Sequence, residues 1–299
     1  MEKRIEKNSM AKLTRHCLYK SLFIFLIISL PQITFANQNN SYAEEEDFIV
    51  EYYAIPAPDE ILYYIHENEI QYTPSLLTDI NNQAKYNTTT ERLLSFGFYL
   101  ADMAYAVSFE QSGTAFRYFD LIDDMGKNMN LFPPEVEDIT LRLMNNMNRM
   151  DSLNIIYDEL YLTVIGNLHD TDRFSEYAII SAGGFVEAMY LALHSDGAKH
   201  DEKSFKARVW DQKLIINQLN TMFERYLSGP EKERLIKEIE PLTKAFNKIE
   251  NSEKEFRGKE REDGAIVIGS NSPDKEKNLP SLEEIKKEID SLRNRWVKD

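Results

Sequence analysis

Asp102 and Glu187 each sit inside an otherwise apolar run, and His194 follows Glu187 by seven residues. Seven residues is close to two helical turns, so on a helix Glu187 and His194 share a face. A carboxylate and an imidazole so placed could work as an acid/base couple, with Asp102 joining them in one pocket. The same acids have a structural reading, as carboxylates at the flank of a bundle paired with Arg, Lys or a helix N-terminus. That is the reading expected here, because buried ionic groups often serve the fold and not chemistry. Geometry discriminates the two. A cleft joining the three side chains would favour catalysis, and burial against a basic residue would favour structure.

Other chemistries find no footing in the sequence. There is no Glu-x-x-His and no His-Glu-x-x-His, which argues against di-iron bundles and zincins. Asp120, Asp123 and Asp124, and separately Asp170 and Asp172, lack EF-hand spacing. The one cysteine, Cys17, precedes an apolar run near the N-terminus. No phosphate-cradling glycine loop or Gly-x-Ser-x-Gly elbow is present. Of the histidines beyond that run, His66, His169, His194 and His200, those at 169 and 200 lie in polar, loop-like context and are expected to be solvated. No metal site and no cofactor is expected. Tyr52, Tyr53, Tyr63, Tyr64 and Tyr72 crowd the first 72 residues and could grip a peptide or glycan, although core and flank positions are the expected places for them.

The elements that would hold Asp102 and Glu187 are helices. Thr88–Glu91 offers N-cap oxygens before the apolar run 92–110, and Thr171-Asp172 precedes the run that ends at Ser195 and Asp196-Gly197. Further helices are expected after Pro58, after Pro74 to about Tyr86, from Thr114 to about Asn130, from Pro133 to about Met150, from Asp151 to about Asn167, over 204–227, and from Gly229 to about Ile249. Pro280-Ser281 launches an amphipathic C-terminal helix with Leu282, Ile285, Ile289, Leu292 and Trp296 near one face. Only Ala54–Ile55 and 265–268 hint at strands, so the chain reads as all-α, a multi-helix bundle or irregular helical array.

At 100° per residue, Gly97, Ala101, Ala104 and Ser108 fall along one stripe, and Ser181, Gly184, Ala188 and Ala192 along another. A glycine inside a helix costs about 1 kcal/mol relative to alanine. Gly183-Gly184 therefore needs a reason, and a close helix contact supplies one. The two helices are expected to form the buried centre and to pack through these seams.

Composition places the chain and bounds its partners. Lys3, Arg4, Lys7, Lys12, Arg15 and Lys20 precede Leu22–Leu30, a nine-residue apolar run, and Thr34-Phe35-Ala36 offers a small-residue cleavage point. This is the pattern of a secretory signal over 1–36, with Met10 as a second possible start and an uncleaved N-terminal membrane anchor as the alternative. No later run is expected to span a membrane. A polar arm over 37–56, a helical domain over 57–250, a flexible hydrophilic segment over 251–280 and the helix of 281–299 would follow. The chain has 35 basic and 50 acidic residues; without the six basic and two acidic ones of the signal, 29 face 48, a net charge of −19. So acidic a protein repels phosphate backbones, and nucleic acid is a poor partner.

Two segments carry a resemblance. Gly97, Tyr99, Ala101, Asp102, Met103 and Tyr105 form one motif, and Ala182, Gly183, Phe185, Val186, Glu187, Ala188, Met189 and Tyr190 a second. In this order, within about residues 75–225, they resemble a group of exported helical proteins and lipoproteins of Gram-negative bacteria. The resemblance implies an α-helical exported protein and no known activity. Many of that group carry a cysteine at the cleavage point; this chain does not, which argues against lipid tethering. The expectation is thus a periplasmic or secreted binding or scaffold module with an unidentified protein or small-molecule partner in the envelope. The alternatives are an enzyme using Asp102, Glu187 and His194, and an assembly protein that pairs helices with another chain.

Overall fold

Thr88 and Glu91 start the first long helix by trading hydrogen bonds. The Glu91 N–H donates to the Thr88 hydroxyl, and the Thr88 N–H donates to the Glu91 carboxylate. In this computed structural model the described residues are 61–62, 70–146, 150–197, 202–248, 259–260, 266–267 and 281–298. Among them run α1 (Thr89–Ser108), α2 (Ser112–Asn128), α3 (Val136–Asn146), α4 (Met150–Asp170), α5 (Phe174–His194), α6 (Lys203–Asp211), α7 (Lys213–Tyr226), α8 (Gly229–Phe246) and α9 (Glu283–Trp296). All belong to one compact unit, Ile49–Asp299. The fold is all-α, a helical array with α1 and α5 at its centre.

Three of these helices stop in the same way. Glu110, Asn130 and Asp172 adopt left-handed backbone, with φ of 58°, 54° and 55°. The next N–H then reaches back to a last-turn carbonyl: Gln111 to Ala106, Leu131 to Gly126 and Arg173 to Leu168. Asn and Asp tolerate this conformation better than most residues, which accounts for two of the three. Sharp stops of this kind reverse the chain and lay successive helices side by side.

α1 and α5 make the most extensive helix contact, and it is a backbone contact. A Cβ on Gly97 would lie 2.2 Å from the Ile180 carbonyl oxygen and 2.6 Å from the Gly184 nitrogen. A Cβ on Gly183 would lie 2.3 Å from the Leu94 carbonyl oxygen. Gly183, which the stripe leaves about 100° to one side, thus belongs to the contact as fully as Gly184. Where two adjacent residues have no side chains, the bare backbone itself is the packing surface. Ala101, Ala104, Ser181, Ala188 and Ala192 are buried, and Ser108 is half-buried with its hydroxyl turned back to the Ala104 carbonyl.

By length and composition α5 could cross a membrane, which the sequence reading did not anticipate. In the fold 89% of its most apolar window is enclosed by other parts of the protein. Such cover is what a core helix needs.

Other departures have local causes. The expected helix over 204–227 is two helices broken at Gln212. Phe205, Val209, Ile216, Leu219 and Phe223 form a buried stripe, and Gln212 falls where that stripe calls for an apolar side chain. The segment 74–86 forms two 3-10 turns, Pro74–Leu76 and Ile80–Lys85, and not one helix. Between them the chain opens out and sends Thr78 into the core. α4 starts at Met150, so Asp151-Ser152 lies within it and does not cap it. Ile266–Val267 pairs antiparallel with Lys259–Glu260, where the apolar island suggested a short strand. The expected signal, the arm, the helix after Pro58 beyond 61–62 and most of 251–280 lie outside the described residues.

Candidate functional site

The buried acids meet around Thr78. Asp102 and Glu187 are both 0% exposed and Thr78 is 1% exposed. Glu187 accepts from Nε of Arg293 at 2.7 Å and from its Nη2 at 2.9 Å, a side-on bidentate pair. Nη2 also donates to the Leu76 carbonyl at 3.2 Å and to the Thr78 hydroxyl at 3.3 Å. The guanidinium lies 3.9 Å from the centre of the Tyr190 ring, where cation and aromatic face attract. Thr78 is fixed in turn by Tyr118, whose hydroxyl donates to the Thr78 carbonyl at 2.7 Å. The Thr78 N–H donates to Asp102 Oδ2 at 3.2 Å, while Asp102 Oδ1 has no hydrogen-bond partner among the described residues.

Each partner arrives for a local reason. α1 and α5 must touch at their glycines, which carries Asp102 and Glu187 into the shared interior. Arg293 comes from α9, which buries Leu282, Ile285, Ile289, Leu292 and Trp296 against α5, α8 and α1. At the far end of α9, Trp296 donates to Glu238 of α8 at 2.6 Å and Lys298 pairs with Glu91 at 2.6 Å.

His194 is not part of this cluster's hydrogen bonding. Its Nδ1 donates to the Tyr190 carbonyl at 2.9 Å, and its Nε2 meets Asp290 of α9 at 3.0 Å. The Tyr190 ring stacks on the imidazole at 4.3 Å. Glu187 therefore turns to Arg293 and His194 to Asp290, although both partners sit on the same helix. His169 is half-exposed beside Asp170, and Tyr72 is half-buried against the Tyr105 ring. His66, His200, Tyr52, Tyr53, Tyr63 and Tyr64 lie outside the described residues. No group of three or more His, Cys, Asp or Glu suited to a metal ion occurs among the described residues.

Electrostatics separates the two acids. Burial and the Glu187 charge push Asp102 well above the usual carboxylate range, more than Arg293 and Thr78 pull it down. Burial alone would lower Arg293, but the Glu187 carboxylate outweighs it and holds the guanidinium charged. Burial also lowers His194, against the pull of the Tyr190 carbonyl and Asp290. An ionised orphan oxygen at Oδ1 would cost far more than a protonated one. Burial and the Glu187 charge thus favour the protonated form of Asp102 beside the ion pair. Such a group binds a proton that the unfolded chain releases above about pH 4, so stability declines as pH rises through the folded value. Asp102→Asn keeps the shape and removes the titration. Urea midpoints from pH 4 to 9 should fall less for this variant than for wild type. A variant equally weakened at every pH would mean that the ionised carboxylate is needed.

Arg293, Thr78, Tyr118 and Asp290 were not singled out from the sequence, and Tyr190 entered only as part of a motif. For Arg293 a signal was there: Ile285, Ile289, Arg293 and Val297 are spaced by four on the apolar side of α9. Thr78 carried none, because only tertiary contact opens the chain at 77–79. No family model matches the chain, nor does any curated protein or solved structure.

Proposed function

We propose that the protein is an exported, soluble cell-envelope component that works as a non-catalytic binding or scaffold module, made with a signal cleaved after Ala36. One observation carries the non-catalytic part: Glu187 and Asp102 are wholly enclosed, and Glu187 is spent on Arg293. A general acid or base must come within hydrogen-bond reach of a substrate proton. The basic start and short apolar run support export, and the resemblance to exported helical proteins of Gram-negative bacteria points the same way. The enclosure of α5 supports a mature chain without a membrane span.

Carbodiimide labelling of the folded protein tests the role of the acids. Exposed carboxylates such as Asp138 and Asp170 should couple readily, and Glu187 and Asp102 should stay unmodified until the chain unfolds. Labelling of either buried acid at surface rates would restore the enzyme reading. Fractionation with mass analysis tests export. A periplasmic species beginning at Asn37 is expected, and an uncut chain in the membrane pellet would overturn it.

A second reading, an assembly protein, draws on α3 and α4. Leu141, Ile155 and Leu162 are 59%, 63% and 55% exposed, and the last two lie seven residues apart on one helix. A pair at that spacing lies on one face of α4 and suits another helix.

A further inference from the structure

The groove that α9 fills is built to receive a guanidinium. α5 supplies a carboxylate, Glu187, for two of its N–H groups and an aromatic face, Tyr190, for its plane. The first 3-10 turn supplies a carbonyl, Leu76, and the stretch after it a hydroxyl, Thr78. α1 supplies Asp102, 0% exposed, with one oxygen left without a partner among the described residues. None of these groups belongs to α9. Planar, forked recognition of this kind suits arginine and not lysine, whose ammonium is a single point of charge.

α9 is also connected as a ligand would be. Thirty-six residues separate the end of α8 at Phe246 from the start of α9 at Glu283. They include Lys, Glu, Asp, Asn and Ser in abundance and a single aromatic residue, Phe256. A covalent connection makes the docking of α9 an intramolecular event. The apolar residues of α9 line one side of the helix, with Arg293 among them.

We propose that α9 is a ligand held in cis, and that the pocket of Glu187, Asp102, Thr78 and Tyr190 is a recognition site for an arginine carried on an amphipathic helix. The proposal rests on the reading of Glu187 and Asp102 as non-catalytic groups. It names the partner class of that site, which the chain satisfies with its own C-terminal helix.

The test uses the full chain with a specific protease site placed after Gly269. After cleavage the C-terminal fragment should co-elute with the body of the protein. A fluorescent peptide of residues 281–299 should then replace it, to one peptide per chain. An Arg293→Lys peptide should bind at least tenfold more weakly, and an Arg295→Lys peptide within about twofold of the parent, since loss of a buried forked pair is costly and loss of an exposed contact is not. Changes confined to the peptide leave the fold of the body untouched. Immediate loss of the cleaved fragment, failure of the peptide ever to replace it, or equal binding of the Arg293→Lys peptide would each overturn the proposal. Carbodiimide protection of the buried acids is read on the uncut protein, so failure here is distinct from failure of the non-catalytic reading.

Discussion

Replacing Arg293 with methionine is expected to destabilise the protein by about 3–5 kcal/mol, the usual cost of leaving one partner of a buried ion pair alone. The loss is that large because Glu187 is 0% exposed and relies on two N–H groups of the guanidinium. Glu187→Gln should cost less, because the amide keeps an acceptor for Arg293 and, with the Glu187 charge gone, Asp102 is freer to ionise in its place. The informative variant is the double one. Glu187→Met with Arg293→Met removes both charges and should recover most of the loss, since hydrophobic replacement of a whole buried pair is often neutral or better. Urea unfolding of wild type, Arg293→Met, Glu187→Met and the double variant, followed by circular dichroism at pH 7, gives the four corners of the cycle. A double variant as unstable as the sum of the singles would mean that the two side chains do not act as a pair. Recovery would leave recognition of α9 as the remaining reason for the pair.

That pair also shows where the sequence speaks and where it falls silent. Helical periodicity made α1, α5 and α9 legible and a capping box marked α1, because each rule involved acts within a few residues. The cap expected at Thr171-Asp172 is absent, since α5 begins at Phe174 after Arg173 with no side-chain cap. The glycines told of a close crossing for the same reason: an interior Gly-Gly has a local cost that must be met somewhere. What periodicity could not convey is which helix brings the base for Glu187. Arg293 is 106 residues away, and ion-pair partners leave no spacing between them to detect. Thr78 is further from view, since its place depends on a break between 3-10 turns that tertiary contact enforces. Gln212 shows the converse, a polar residue on an apolar stripe that marks a break which overall helical composition hides.

The crossing of α1 and α5 yields the other large effect. Gly97→Ala places a methyl group 2.2 Å from the Ile180 carbonyl oxygen and 2.6 Å from the Gly184 nitrogen, and both obstacles are backbone. Neither can swing aside as the end of a long side chain would. The helices must separate along their whole contact, which also pulls on Asp102 and Glu187. A loss of roughly 3 kcal/mol or more is expected, at the upper end of overpacking costs, and Gly183→Ala should match it through its 2.3 Å approach to the Leu94 carbonyl. Gly184→Leu, with a larger side chain at the same crossing, should be at least as damaging. Gly166 in α4 provides the control, because a Cβ there meets nothing within 4 Å. Gly166→Ala should therefore raise stability by up to about 1 kcal/mol through helix propensity alone. The same chemical change thus takes opposite signs at two helical glycines, and only the distance to a neighbouring backbone tells them apart. Thermal melts of the four variants read both signs at once. A Gly97→Ala protein that melts with wild type would mean that α1 and α5 do not meet backbone to backbone.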